Sequence, residues 1–153
     1  GLFMGKEDER KSILRLIADY NPFLLDVEFN TIQKDKKLAV YLKKTKCKLL
    51  ISWHDFKKTP NDSQLKSRFN KMRKFSKIVK IVTVAKNVSD ASRLLSLYSI
   101  KSNNEMVAFC MGDQGKFSRI LCLHLGSPFT YVSLGKAIAP GQFSVDEIKS
   151  LEN

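Results

Sequence analysis

A lysine lies inside one of the most apolar runs of the chain, Ile78-Val79-Lys80-Ile81-Val82-Thr83-Val84-Ala85. Lysine is almost never fully buried unless it is paired or used. Burial disfavours the ammonium form, so a lysine in such a place can become a nucleophilic amine. One structural unit earlier, His54 follows the apolar run Cys47 to Trp53. An amine beside an imidazole suits imine chemistry. The lysine condenses with a ketone, the protonated imine is the electron sink, and the histidine removes a proton α to it. An arginine such as Arg119 would then hold a substrate carboxylate in a fork.

Each of these residues also has an ordinary structural reading. Lys80 can lie near a strand end and snorkel to water, the commoner case on that strand alone. His54 can cap a loop or make buried hydrogen bonds. Arg119 can be a surface helix cation, and Met111 can be core filling. Asp26 and Glu28, two apart on one strand face, can serve ion pairs rather than a site. His124 falls in a helical pattern with no evident partner and reads as structural. The His and Cys spacing fits no zinc site, so no metal is expected.

The elements that position these residues alternate regularly. Helical patterns are read at Glu7 to Asp19, with Ile13, Leu14 and Ile17 on one face, and around Leu38, Tyr41 and Leu42. Another follows a cap near Asn61 and Asp62, with Leu65, Phe69 and Met72 inward. Asn87 to Asp90 opens a helix with Ala91, Leu94, Leu95 and Tyr98 inward. A helix near Phe117 to Leu125 and one opening at Ser144 complete the set. Strands are expected at Phe23 to Phe29, Cys47 to Trp53, Ile78 to Ala85, Met106 to Met111 and Phe129 to Leu134. A spacing of about 25–30 residues between strands is that of one βα unit. Five units in series imply a parallel sheet with helical crossovers, either open and doubly wound or part of a (β/α)8 barrel. No glycine-rich turn marks a nucleotide-binding open sheet. Five units are too few to close a barrel of about 250 residues. In both architectures the functional groups gather at the carboxyl ends of the strands.

Length and composition set the frame. With 153 residues, 43% apolar and 10% aromatic, residues 1–153 read as a single α/β domain with a real core. A net charge of +12 makes a polyanion a partner to test. The cations are spread over helix surfaces, however, and no nucleic-acid motif is present, so nucleic acid is an unlikely partner. Cys47, Cys110 and Cys122 lack CxxC spacing and read as small buried hydrophobes in a reducing compartment, hence a cytoplasmic setting. No membrane span and no targeting segment is visible.

Six strings together resemble one family. They are Asp26-Val27-Glu28; Ser52-x-His54-Asp55-Phe56 with Thr59-Pro60; Val79-Lys80-Ile81; Met111-Gly112-x-x-Gly115-x-x-Ser118-Arg119; Gly126-Ser127 with Thr130-Tyr131; and Ala139-Pro140-Gly141-Gln142. In order and spacing the chain resembles type I 3-dehydroquinate dehydratase, a (β/α)8 TIM-barrel lyase of the shikimate pathway of aromatic amino acid biosynthesis. The resemblance implies dehydration of 3-dehydroquinate to 3-dehydroshikimate with no cofactor. By analogy Lys80 would form the Schiff base, and His54 would take the α-proton and later protonate the leaving hydroxyl. Arg119 would grip the carboxylate with help from Gln142, while Met111 and Tyr131 would line the pocket. Glu28 is expected among the substrate-binding groups.

The chain departs from the family pattern in three places. The family commonly has a serine before Ala-Pro-Gly-Gln, where this chain has Ile138, and a phenylalanine where it has Tyr131. The family also has three βα units before the Asp-x-Glu strand, carrying an acidic residue and arginines for the substrate hydroxyls. A glutamate there, in a Glu-Gly-Gly turn, orients the histidine. Gly1-Leu2-Phe3 resembles the tail of that turn. About five of eight units are therefore expected, as the C-terminal portion of such a barrel. That implies a fragment of a longer enzyme first, then a readjusted open sheet or a homodimer covering the edges. The alternatives to the lyase are a catalytically incomplete relative and a basic nucleic-acid-binding α/β module.

Overall fold

A computed structural model describes residues 3–135 and 137–151. Gly1 and Leu2, which carry most of the resemblance to a Glu-Gly-Gly tail, lie outside the described residues. Four parallel strands form one sheet in the order β1-β2-β3-β4: β1 (Leu25–Glu28), β2 (Leu49–Asp55), β3 (Ile78–Val84) and β4 (Glu105–Met111). The helices are α1 (Glu7–Asp19), α2 (Phe29–Lys34), α3 (Lys36–Lys44), α4 (Asp62–Met72), α5 (Val88–Leu95), α6 (Ser118–His124) and α7 (Val145–Leu151). This is the α/β architecture expected, an open arc of βα units as in part of a barrel.

Local signals start the helices where the sequence places them. Asn61 and Gln64 exchange side-chain and backbone hydrogen bonds in a capping box at the start of α4. The Asn87 and Asp35 side chains accept the Asp90 and Leu38 amides at the starts of α5 and α3. The central strands are buried on both faces, as their unbroken apolar runs require. The main core lies between the sheet and the helices, built around Phe29, Leu42, Ile51, Leu65, Phe69, Ile81 and Leu94. Cys47, Cys110 and Cys122 are free and buried.

Three expectations are corrected. Strand β1 is shorter than read, because Phe29 turns into α2 and packs fully buried. On α1 the buried residues are Leu14 and Ala18, whereas Ile13 and Ile17 are exposed. The helix rests on α3 and β1 along a narrower line than its apolar residues suggest. The third concerns Phe129 to Leu134, which forms no strand; the segment makes one isolated bridge, Ser133 to Ser144. The described sheet thus has four strands instead of five.

The edge of β4 explains that loss. The Tyr98 phenol oxygen accepts the Ala108 amide at 2.8 Å and donates to the Ala108 carbonyl at 3.2 Å. A side chain thus takes up the outward backbone groups that a fifth strand would pair. Burial pushes the Tyr98 phenol up to about 12. A pKa raised on folding gives stability that is intact below the unfolded value near 10 and lost as pH rises through about 12. Alkaline titration of the fold, followed by circular dichroism, should show unfolding in that window. Tyr98→Phe should weaken this alkaline step and, by orphaning the Ala108 amide, cost about 1–3 kcal/mol in urea denaturation at neutral pH.

Candidate active site

Strand register places the chemistry in rows. On one face of the sheet Asp26, Leu50, Ile78 and Glu105 lie side by side. Glu28, Ser52, Lys80 and Val107 form the next row towards the carboxyl ends, and His54, Val82 and Phe109 the row above it. Lys80 is 8% exposed, and its ammonium reaches two strands across to the Asp26 carboxylate at 2.8 Å. It also lies 4.5 Å from the centre of the Tyr131 ring. His54 Nδ1 is 2.5 Å from Glu28 Oε1, which fixes the ring and leaves Nε2 as its free nitrogen. Phe56 stacks on the other side of the imidazole with centroids 5.6 Å apart.

A cavity of about 240 Å³ opens at the carboxyl ends of the strands. His54, Lys80, Met111, Arg119, Tyr131 and Gln142 all line it. A larger hollow of about 660 Å³ lies at the opposite ends of the strands, against Phe23, Leu49, Ile78 and Phe129, and holds none of these groups. Glu28 lines a neighbouring hollow with His54 and Arg10 instead of the cavity itself.

Arg119 is no surface cation. It is 2% exposed, with its guanidinium 4.4 Å from the Phe109 ring centre. Burial pulls its pKa below the ordinary value. Among the described residues its Nε has no hydrogen-bond partner, and its Nη2 donates to the Pro140 carbonyl at a long 3.4 Å. A buried fork whose Nε lacks an acceptor is an arrangement that a planar anion completes.

Residues of the motifs that carry no chemistry themselves fasten these groups. Ser118 Oγ accepts the Cys110 amide at 2.8 Å and donates to the Gly115 carbonyl, which starts α6 at the end of β4 and so places the next residue, Arg119. Thr59 donates to the Val84 carbonyl at 3.0 Å and ties the loop after β2 onto β3. Gly112 donates its amide to the Pro140 carbonyl at 3.2 Å. Gly141 has φ +70 and no room for a side chain, because a Cβ there would lie 2.7 Å from the Gly112 carbonyl oxygen. The Ala139-Pro140-Gly141-Gln142 loop thus seats on β4, and the Gln142 side-chain carbonyl accepts the Ile138 and Ala139 amides at 3.0 and 3.3 Å. Its NH2 group remains as a donor at the cavity wall. Ile138, at the usual serine position, is 89% exposed at the rim.

Comparison with known proteins decides the ancestry of this site. The model of the family described as type I 3-dehydroquinase matches residues 1–152. The chain belongs to the type I 3-dehydroquinase family. It is 39% identical over 146 residues to a 3-dehydroquinate dehydratase of Pyrobaculum aerophilum, covering 95% of this chain and 47% of that protein. A Dehalococcoides mccartyi 3-dehydroquinate dehydratase is 36% identical over 151 residues, covering 97% and 67%. Among solved structures, the type I 3-dehydroquinate dehydratase of Clostridium difficile with covalent modified comenic acid superposes with a TM-score of 0.85 at 25% identity, covering 99% of this chain and 62% of that one. The Aquifex aeolicus 3-dehydroquinate dehydratase gives 0.80 at 29% identity, covering 96% and 66%. The chain spans about half to two thirds of the length of these relatives. Among its described residues no helix is long and apolar enough to cross a membrane.

The sequence motifs did not reveal Asp26 as the partner of Lys80. The only signal was its place two residues before Glu28 on one strand face. Arg10 was missed as well; it bonds to Glu7 and Thr31 and lines the hollow behind Glu28.

Proposed function

We propose that this chain carries the lysine and histidine centre of a 3-dehydroquinate dehydratase, which converts 3-dehydroquinate to 3-dehydroshikimate through a Lys80 Schiff base. The observation that carries the reading is the convergence of Lys80, His54 and Arg119 on one cavity at the strand ends. The Lys80 amine, deprotonated, adds to the substrate ketone; a C–N bond forms and the carbonyl oxygen leaves as water. The iminium withdraws electrons from the adjacent carbon, and His54 Nε2 takes its proton. The resulting enamine expels the β-hydroxyl, which leaves as water with the proton His54 has stored. Water then hydrolyses the imine and frees Lys80. Glu28 holds the imidazole ring and stabilises its charged form. Arg119 and the Gln142 NH2 grip the carboxylate, and Met111 and Tyr131 shape the walls.

Borohydride reduction in the presence of 3-dehydroquinate tests this. The expected result is a reduced adduct mapped to Lys80 by mass spectrometry. An adduct without turnover would identify the incomplete-pocket reading, and no adduct would overturn the imine mechanism. Arg119→Lys keeps the charge but loses the fork, so KM should rise by roughly tenfold to hundredfold with a smaller change in kcat. The buried free thiols fit a cytoplasmic setting. Homodimerisation is read by the mass in solution.

A further inference from the structure

Ser52 lies in the row between Glu28 and Lys80, one row below His54 on the same face of the sheet. It is 1% exposed, and among the described residues its Oγ has no hydrogen-bond partner. A buried hydroxyl left unpaired is costly, and each such group calls for an explanation. Its row neighbours are Glu28 on one side and Lys80 on the other. Both are committed elsewhere, Glu28 to His54 and Lys80 to Asp26.

The path of the lysine supplies the explanation. Adjacent strands are about 4.8 Å apart, and β2 lies between the strands of Lys80 and Asp26. The Lys80 side chain therefore crosses β2 to reach Asp26, between the rows of Leu50 and Ser52. To meet a ketone in the cavity, the nitrogen must leave Asp26 and move towards the carboxyl ends of the strands. Leu50 offers no polar atom, and the His54 ring is held by Glu28. Ser52 is the polar group of β2 along that path.

We propose that Ser52 is a positioning residue for Lys80, its hydroxyl accepting a hydrogen bond from the Lys80 nitrogen when that nitrogen leaves Asp26 to become the imine of a carbonyl substrate. This rests on the imine reading of Lys80. In the resting enzyme the hydroxyl is unpaired; in the adduct it faces the iminium N–H. The hydrogen bond adds no atoms to the reaction, and water remains the only group lost on condensation.

Ser52→Ala removes the hydroxyl and almost no volume. Trapping rates at Lys80 are measured with borohydride and either 3-dehydroquinate or acetone, which has no carboxylate or hydroxyl for the rest of the pocket to hold. The expected result is a roughly tenfold or greater fall with both carbonyls, the scale of one hydrogen bond to a charged group. Thermal stability should be unchanged or higher, because an unpaired buried hydroxyl has gone. Ser52→Cys should fall between wild type and alanine. Wild-type trapping rates in Ser52→Ala, or a loss of trapping that tracks a loss of thermal stability, would overturn the proposal and leave the imine reading intact. If the wild-type chain traps neither carbonyl, the imine reading fails and Ser52 falls with it.

Discussion

Lys80→Met abolishes the borohydride adduct and lowers turnover of 3-dehydroquinate by roughly 10⁴-fold or more, the scale on which removal of a covalent nucleophile acts. Methionine keeps most of the length and apolar stem of lysine, so the row between Ser52 and Val107 stays filled. What disappears is the nitrogen and its ion pair with Asp26. The Asp26 side chain is 39% exposed and keeps water when its partner is lost, so the stability change should stay within about 1 kcal/mol. An unchanged melting temperature beside an absent adduct separates lost chemistry from lost folding. Lys80→Arg sharpens the test. It retains a cation for Asp26 but has no amine that condenses with a ketone at neutral pH, so it too should form no adduct. Turnover by either variant near the wild-type rate would remove Lys80 from the mechanism.

His54→Asn has the second largest effect and a different signature. Loss of the general base should lower kcat by roughly 10²- to 10⁴-fold. Condensation at Lys80 does not need that base, so borohydride should still trap the adduct. Glu28→Gln keeps the shape of the Glu28 side chain and an acceptor for Nδ1, but removes the charge that stabilises imidazolium. Its kcat should therefore fall by less than that of His54→Asn, roughly tenfold, and the double variant should be no worse than His54→Asn alone. Additive losses would mean that Glu28 acts on the substrate directly rather than through His54. The 2.5 Å contact between Glu28 and His54 argues for the coupled outcome.

Much of the site was legible because its signals are short-ranged. A lysine in an unbroken β-branched run raises burial as one reading beside snorkelling at a strand end, and Lys80 is 8% exposed. Helix starts at Asn61 and Asn87 are set by side chains that reach three residues along the chain, and both caps form. Arg119, just past the end of β4, was left open by the sequence between surface cation and carboxylate clamp. Its burial over Phe109 rules out the surface cation.

The illegible parts depend on segments far apart in sequence. Residues Phe129 to Leu134 have strand-like composition, yet Tyr98, from the turn after α5, satisfies the β4 edge at Ala108. No local pattern shows which edge amide a distant phenol will take. The sequence shows Gly141 only as part of the Ala139-Pro140-Gly141-Gln142 string; its close approach to the Gly112 carbonyl exists only once the loop seats on β4.

From its sequence alone, the chain determines its α/β class, its parallel βα order and the residue types of the proposed imine site. Tertiary structure decided which carboxylate holds which cation. Asp26 and Glu28 are two residues apart and chemically alike, but parallel register sets Glu28 beside Ser52, within reach of His54, and leaves Asp26 to the amine that crosses from β3. The physical reason is lateral neighbourhood. Side-chain alternation along a strand is written in adjacent residues, whereas the partner across the sheet comes from register between segments about one βα unit apart.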